Sequence, residues 1–584
     1  MTFKSIGLVV ALFLATLAGL NTNAYAFNID EGVEGYWYEH GLDARRGWGL
    51  QYIRLGPEQG MLFVAGYVYD NLNEPIWVTG NAVVFDGQYE IEMPMMLLEG
   101  GKFGPEVGSP AVTNSNVVSL RIVFNSCNSA DFHFTGEYTF SQHFDPLLKV
   151  VKDVDEGRCV YQHEFTSCPA FARPGLEERA CFLSDTITED IVLTNDIVWQ
   201  LDGIVYVGSR QQQGAQVPAD GPTLTIEAGA RIEGVGPNTA LVISRGSKII
   251  AEGQPHAPIV MSGYHSTPEG AVPGDWGGLV INGAAPLNTC YTSLCEEEGE
   301  GGTGAYGGTD ELDDSGTLRY VRVQYAGSEI DPMYDHMPGI ALQGVGSGTV
   351  IDHVQVHASY DDGIKILGGT FNAKHLVVTD SQNDSVDWAF GYVGSMQYIL
   401  VKQAEHTWLP ADHMFSGENY EDDHDISPRT GPTIANATLI GRYDTTAIDL
   451  KEGSAGHFSN LVVLGSGECL DLDDDATFTA AGSPNQPSGA LTFRNSIFYC
   501  NTDFVVDGQD PWSTRDFVLG FGGNSSGAHH GLSGFFPMAG SIALGDFELD
   551  PSNYGEFFED AGFAGVFRSR DSAWHYGWTE FLDQ

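Results

Sequence analysis

The chain of 584 residues carries 78 Asp and Glu against 27 Lys and Arg, a formal net charge of −51. Such a surface repels nucleic acid, anionic lipid and polyanions, which excludes those partners unless cations intervene. The excess reads either as a solvated acidic surface or as carboxylates gathered around divalent cations, Ca2+ first, because Ca2+ favours clustered oxygen ligands.

In chain order, Lys4, an apolar run over residues 6–20 and the small-x-small triplet Ala24-Tyr25-Ala26 predict a signal peptide spanning 1–26. The run is too short for a membrane span, and no Cys stands at the cleavage point to carry a lipid. The expectation is an exported Gram-negative protein, extracellular, on the cell surface or in the periplasm, without membrane insertion. Eight cysteines in an exported chain predict disulfides. Spacing favours the local pairs Cys127 with Cys159, Cys168 with Cys181, Cys290 with Cys295, and Cys469 with Cys500. No Cys or His spacing matches zinc or redox chemistry.

Residues 27–160 form short runs of alternating apolar and polar residues, as in Met61 to Tyr69 and Val117 to Phe124. That period of two predicts an antiparallel barrel or sandwich. The elements Gly35-Tyr36-Trp37-Tyr38, Gly47-Trp48-Gly49-Leu50 and Pro75-Ile76-Trp77-Val78 resemble a Trp- and Gly-rich β domain of secreted proteobacterial proteins. Trp37, Trp48 and Trp77 read as core filling rather than a sugar platform.

A disulfide-stapled linker is expected over 161–182 and a solenoid over 183–556. One strand column repeats as Tyr320-Val321-Arg322-Val323, His353-Val354-Gln355-Val356 and His375-Leu376-Val377-Val378, and continues to Ser496-Ile497-Phe498-Tyr499. Its second positions are 321, 354, 376, 399, 437, 461 and 497, so the short gaps of 22, 23 and 24 residues set the coil length and the longer ones mark insertions. A second column runs in step: Ile340-Ala341-Leu342, Ile364-Lys365-Ile366, Val386-Asp387-Trp388, Ile448-Asp449-Leu450 and Leu470-Asp471-Leu472. Gly344, Gly368, Gly391 and Gly453 follow its strands, where a turn needs positive φ. Two strands per coil stacking into parallel sheets predict an all-β chain, a right-handed parallel β-helix behind a small barrel. The aromatic segment 557–584 reads as a cap on the open end.

The run Tyr306-Gly307-Gly308-Thr309-Asp310-Glu311-Leu312, the element Asp361-Asp362-Gly363-Ile364-Lys365-Ile366 and the triplet Trp276-Gly277-Gly278 resemble a family of exported right-handed parallel β-helix proteins of marine Gammaproteobacteria and Bacteroidetes. That resemblance covers about 183–584 and implies the fold. It transfers no function and no catalytic residue.

Chemistry is expected where outward residues of the second column meet the preceding turns. Asp361, Asp362, Asp384, Asp387, Asp471 and Asp473 are candidate Ca2+ ligands. Asp361, Asp362, Asp384 and Lys365 are the candidate catalytic groups for hydrolysis or lyase chemistry on a polysaccharide. Carboxylates on rungs about 4.8 Å apart repel by roughly 1 kcal/mol in water and more at lower dielectric, so Lys365, water or a bound cation is expected to offset them. Otherwise these are turn aspartates bonding local backbone. The insertion after Val401, with His406, Trp408, Asp412, His413, Glu418 and the acidic run to Asp425, reads as an acidic surface loop. Lys365, pointing outward, is expected to tolerate exchange that Ile364 would not. The sequence reads as a protein binding carbohydrate or another cell-surface polymer, with a polysaccharide-degrading enzyme as the alternative; oligomeric state is left open.

Overall fold

The computed structural model describes eight strands between residues 35 and 152, and residues 167–582 apart from 178, 256, 265–269, 292–293, 331–335, 406–410, 509, 529–530, 546, 550–553 and 581. The expected signal peptide, Cys127, Cys159, His406 and Trp408 lie outside the described residues. The chain divides into two compact units, 1–160 and 161–584.

In the first unit the antiparallel strands Gly35–Glu39, Gly47–Gly56, Gln59–Tyr69, Pro75–Phe85, Glu90–Leu98, Asn116–Phe124, Ser129–Thr135 and Leu147–Lys152 pair in order. The last returns to the first and closes a barrel. The period of two places Trp48, Leu50 and Tyr52 inside while Gln51 and Ile53 face out. Trp48 meets Phe132 edge-on, ring centroids 5.5 Å apart. Gly66 is its cross-strand partner; a Cβ there would lie 2.1 Å from the indole. Trp48 is thus core, whereas the side chains of Trp37 and Trp77 lie outside the described residues.

The second unit is a right-handed parallel β-helix. One sheet stacks ten short strands, among them Gly278–Asn282, Ile340–Gln343, Ile364–Leu367, Val386–Ala389, Phe415–Gly417, Thr446–Leu450 and Glu468–Leu472. The other column consists of bent strands: Gly316–Gln324, Val350–His357, Asn372–Thr379, Ser395–Lys402 and Thr433–Ile440. Each bends at one left-handed residue, Tyr320, His353, His375, Tyr398 or Asn436, with φ between 50° and 63°. Two runs before and after that bend make three parallel sheets per coil rather than the two expected. Leu318, Ile351, Ala373, Met396 and Ile434 fill the core before the bend; Val321, Val354, Leu376, Ile399 and Ala437 fill it after. Left-handed backbone strains a β-carbon, and the rings at these bends stack on one another: Tyr320 on His353 at 4.3 Å, His353 on His375 at 4.1 Å, His375 on Tyr398 at 5.1 Å. The glycines expected to turn the chain do so, with φ of 57°, 68°, 86° and 80° at Gly344, Gly368, Gly391 and Gly453.

The register from 321 to 461 is as expected. In the last coil it shifts by one residue, because Val462 pairs with Ile497 and Leu461 therefore with Ser496. The second column gains a rung that the sequence concealed: Phe415–Gly417 pairs with Val386–Ala389 on one side and Thr446–Leu450 on the other.

Cys168–Cys181, Cys290–Cys295 and Cys469–Cys500 are disulfides. Helix Thr514–Gly520, capped by Ser513, packs Phe517 and Val518 with Phe504 and Trp512 into the end of the core. The aromatic C-terminal segment, expected across the open end, lies instead along the side of the bent-strand column. Trp578, Phe563, Val566 and Phe567 cover the outward residues Val377 and Leu400. Backbone carbonyls of Phe563, Glu559 and Glu580 accept from Asn436, Gln397 and Gln355 at 2.7–2.8 Å, and Arg322 pairs with Glu580 at 2.7 Å. The outward residues under the tail mix apolar Val377 and Leu400 with polar Arg322, Gln355 and Thr438, so the tail buries apolar area that water would otherwise wet and partners the polar groups beside it. No described helix is long and apolar enough to cross a membrane.

Candidate functional site

The outward row of the ten-stranded sheet is apolar at Val242, Val280 and Ala341, which pack with Ile330 and Met337, and turns polar from Lys365 onward. Successive rungs place Ala341, Lys365, Asp387, Ser416, Asp449 and Asp471 in register. The turns leading into these strands add Asp361, Asp362, Asn383, Asp384, Asp412 and His413 along one edge. The far edge carries Glu418 and Lys451, which pair at 3.0 Å. The insertion between Asn282 and Gly316 closes the row beyond Lys365: its Glu300 backbone N–H donates to Gln343, and its Tyr306 is fully buried beside the Lys365 charge. This insertion also meets the later one, where Asn288 donates to Asn419 Oδ1 at 2.7 Å and to the Pro428 carbonyl at 2.9 Å, and Tyr291 bonds Asp423.

Lys365 is the cation that the stacked carboxylates require. Its Nζ lies 3.0 Å from Asp362 Oδ2 and 3.3 Å from Asp387 Oδ2. Asp362 is 1% exposed, and its other oxygen accepts from the Asp384 backbone N–H and the Asn383 amide. Asp387 is 7% exposed, and its Oδ1 takes no hydrogen bond from the described residues. Burial pushes Asp362 above the usual carboxylate range and Asp387 well above it, with Lys365 opposing. Lys365 is itself raised: burial works against its charge, but Asp362 and Asp387 outweigh it.

At the turn leading into the Asp387 strand the balance is opposite. Burial disfavours the Asp384 charge, yet the hydrogen bond and charge of His413 hold Asp384 below its ordinary value. His413 Nδ1 is 2.9 Å from Asp384 Oδ1, and the His413 backbone N–H donates to the same oxygen at 2.9 Å. Against its burial, Asp384 and its other acidic neighbours lift His413 to about 9. Asp449 is raised by burial, opposed by His413 and Lys451. Asp471, facing Asp449 on the adjacent rung, is pushed up to about 7 by burial and then by Asp449 and Asp473.

The structure thus brings Asp362, Lys365, Asp384 and Asp387 together. Asp361 shares the turn of Asp362. Asp471 lies farther along the row, and Asp473 is exposed beyond its strand. Asp474 serves its own helix: the side chain caps Asp475–Ala481, accepting from the N–H groups of Ala476 and Thr477. Sequence reasoning missed Ser416, Glu300 and the part played by His413. The signal for the first and last was Met414-Phe415-Ser416-Gly417, the polar–apolar grammar of a rung inside an apparent loop. Glu300 arrives from a distant insertion and left no signal.

A family model described as a pectate-lyase like β-helix domain matches residues 185–509. The solved catalytic domain of a GH87 α-1,3-glucanase in complex with tetrasaccharides aligns at 9% identity with a TM-score of 0.27, covering 85% of this chain and 95% of that one. No curated protein matches the chain.

Proposed function

The chain belongs to the pectate-lyase-like β-helix domain family, and from that premise we propose an exported protein that binds an uncharged carbohydrate polymer along the polar row of its ten-stranded sheet. The observation that carries the reading is the row itself: Lys365, Asp387, Ser416, Asp449 and Asp471 at successive rungs. Asp387, Ser416 and Asp449 are buried, at 7%, 1% and 8% exposure, and back a rim on which Asp361, Lys365, Asp412 and Asp471 are the partly exposed groups that can meet the hydroxyls of a repeating ligand. Tyr360 and Tyr443, 46% and 65% exposed, stand on the turns leading to the Lys365 and Asp449 rungs and offer apolar ring faces for sugars. The net charge and the surplus of carboxylates disfavour a polyanion. Three disulfides suit an oxidising compartment, outside the cell or on its surface.

Asp449, Asp471 and Asp473 at the far end of the row are the oxygens we assign to Ca2+, since Lys365 already neutralises Asp362 and Asp387. The second reading, hydrolysis, is favoured by one observation: neighbouring carboxyls are driven apart, Asp387 up and Asp384 down. Such a split separates an acid from a base. A glycan array of neutral and acidic polymers, with and without Ca2+, tests binding; mass spectrometry of incubated hits tests cleavage. Binding to neutral polymers that Asp384→Asn and Asp387→Asn abolish without product formation supports the first reading, released oligosaccharides the second. Retention on acidic polymers alone refutes the proposal.

A further inference from the structure

His353 and His375 stand at the left-handed bends of adjacent strands, with φ of 56° and 55°, one coil of 22 residues apart in the chain. Their rings stack with centroids 4.1 Å apart, and both Nδ1 atoms converge on one carboxylate oxygen. Asp352 Oδ1 lies 2.7 Å from His375 Nδ1 and 2.9 Å from His353 Nδ1. One ligand atom from each of these three side chains falls within 4.8 Å of the other two. Metal bonds of about 2.0–2.2 Å set at right angles put neighbouring donor atoms about 2.8–3.1 Å apart. The carboxylate oxygen therefore stands from each nitrogen as one ligand of an ion stands from the next.

The hydrogen bonds leave one of the three groups over. His375 Nδ1 bonds Asp352 Oδ1. His353 Nδ1 is buried and has no hydrogen-bond partner among the described residues, its approach to Asp352 being misaligned for one. A buried polar atom in that state is costly, and a cation shared by the three groups satisfies it. Arg319 does not fill the place: its Nε lies 3.8 Å from the other Asp352 oxygen, and its guanidinium reaches Glu252 at 3.2 Å. Burial works against the Asp352 charge, yet the two imidazoles hold that carboxyl below its ordinary range. In the C-terminal tail, Trp574 meets the rings of His353 and His375 edge-on at 5.7 and 4.8 Å. The tail thus walls one side, while the Asp352 side chain, 29% exposed, leaves a way in from solvent.

We propose that Asp352, His353 and His375 bind one divalent transition-metal ion of the Ni2+ or Cu2+ class, both imidazoles through Nδ1. Mixed nitrogen and oxygen donors at right angles suit those ions, and the imidazoles separate them from Ca2+, which takes oxygen. The ion ties two adjacent coils together at their bends, beneath the aromatic tail. No spacing in the sequence announces the site, because its ligands come from two rungs. It lies on the bent-strand column, shares no residue with the polar row and does not rest on carbohydrate binding.

The test titrates the chelator-stripped full chain with Ni2+ by calorimetry and with Cu2+ by tryptophan fluorescence. Asn is the exchange that keeps the bend, since Asn436 already occupies it two rungs beyond His375, with φ of 56°. His353→Asn, His375→Asn and Asp352→Asn should each weaken Ni2+ at least about tenfold, the loss that removing even an outer partner of a metal ligand brings. Cu2+ should quench Trp574, so Trp574→Phe should reduce the quench and leave Ni2+ affinity unchanged, which places the ion at the bends rather than elsewhere on the chain. Should a bend variant fail to fold, Asp352→Asn decides, because that side chain is partly exposed. Undiminished Ni2+ affinity in Asp352→Asn or in both bend variants, no Ni2+ binding up to millimolar concentration, or a quench that Trp574→Phe leaves intact overturns the proposal. No carbohydrate enters the titration, so its failure leaves the glycan-array result standing.

Discussion

Replacing Lys365 with Met keeps an unbranched stem and removes the one charge shared by Asp362 and Asp387. Both carboxyls are almost fully buried, and deleting one member of a buried ion cluster costs about 3–5 kcal/mol. Each kcal/mol moves Tm by roughly 1–2 °C in a unit this large, extrapolating from the size dependence of the unfolding entropy, so a fall of about 3–10 °C is expected at pH 8. The pH dependence identifies the cause. Both carboxyls have folded values above their unfolded ones, and losing Lys365 raises them further. A raised acid leaves stability intact below its unfolded value and removes it as pH climbs through its folded value. The deficit should therefore be small near pH 4, grow with pH and level off above the raised range. Asp362→Asn with Asp387→Asn in the Lys365→Met background should recover most of the loss at pH 8. Differential scanning fluorimetry from pH 4 to 8 on the single and triple variants makes the comparison. An equal deficit at every pH would assign the effect to packing of the lysine stem, and no deficit at pH 8 would refute the buried-cluster argument. The same reasoning reverses the expectation that an outward Lys365 tolerates exchange.

Asp471→Asn should raise Tm at pH 8, by an amount equivalent to about 1 kcal/mol, and leave it nearly unchanged near pH 3, below the ordinary carboxyl value, because the folded Asp471 is raised to about 7; an equal increase at both pH values would point to something other than charge. Leu400→Ala, an outward position under the C-terminal tail, should cost about 2–4 kcal/mol and speed proteolytic release of that tail; wild-type behaviour would show that the tail is not docked in solution. Chelator should lower Tm and Ca2+ restore it at constant ionic strength, with Asp471→Asn blunting the response; monovalent salt matching Ca2+ would reduce the effect to screening. The double variant Cys469→Ser with Cys500→Ser should lose about 2–5 kcal/mol, read as a lower Tm, because Cys469 sits inside the last coils; an unchanged Tm would make that bridge incidental.

The repeat was legible because each coil writes the same short pattern, and stacking makes the register a matter of counting. Counting failed where the pattern was interrupted. Phe415–Gly417 is only three residues long and sits between acidic stretches, so its apolar signal was diluted. The third sheet was hidden because the bend at Tyr320, His353 and His375 occupies one residue and changes no apolar spacing. The tail was half visible: Val377, Leu400 and Val462 are apolar at outward positions where the other column has Lys365 and Asp387. Reading that contrast would have placed a cover over Val377, Leu400 and Val462. The positions of Asp362, Asp384, Asp387 and Lys365 were readable from register alone. Which of them is charged was not, since that depends on burial beneath a remote insertion and on the His413 partner.

The tail changes how this solenoid comes apart. In a stack where each coil touches only its neighbours, fraying starts at an end and proceeds one coil at a time. Here a single segment is fastened at Asn436, at Gln397, at Gln355 and at Arg322, so losing any one of these coils also loosens its hold on the others. Local opening becomes a shared event, and the middle of the molecule should exchange its amide hydrogens in one cooperative block, while the early coils preceding Gly316 fray on their own.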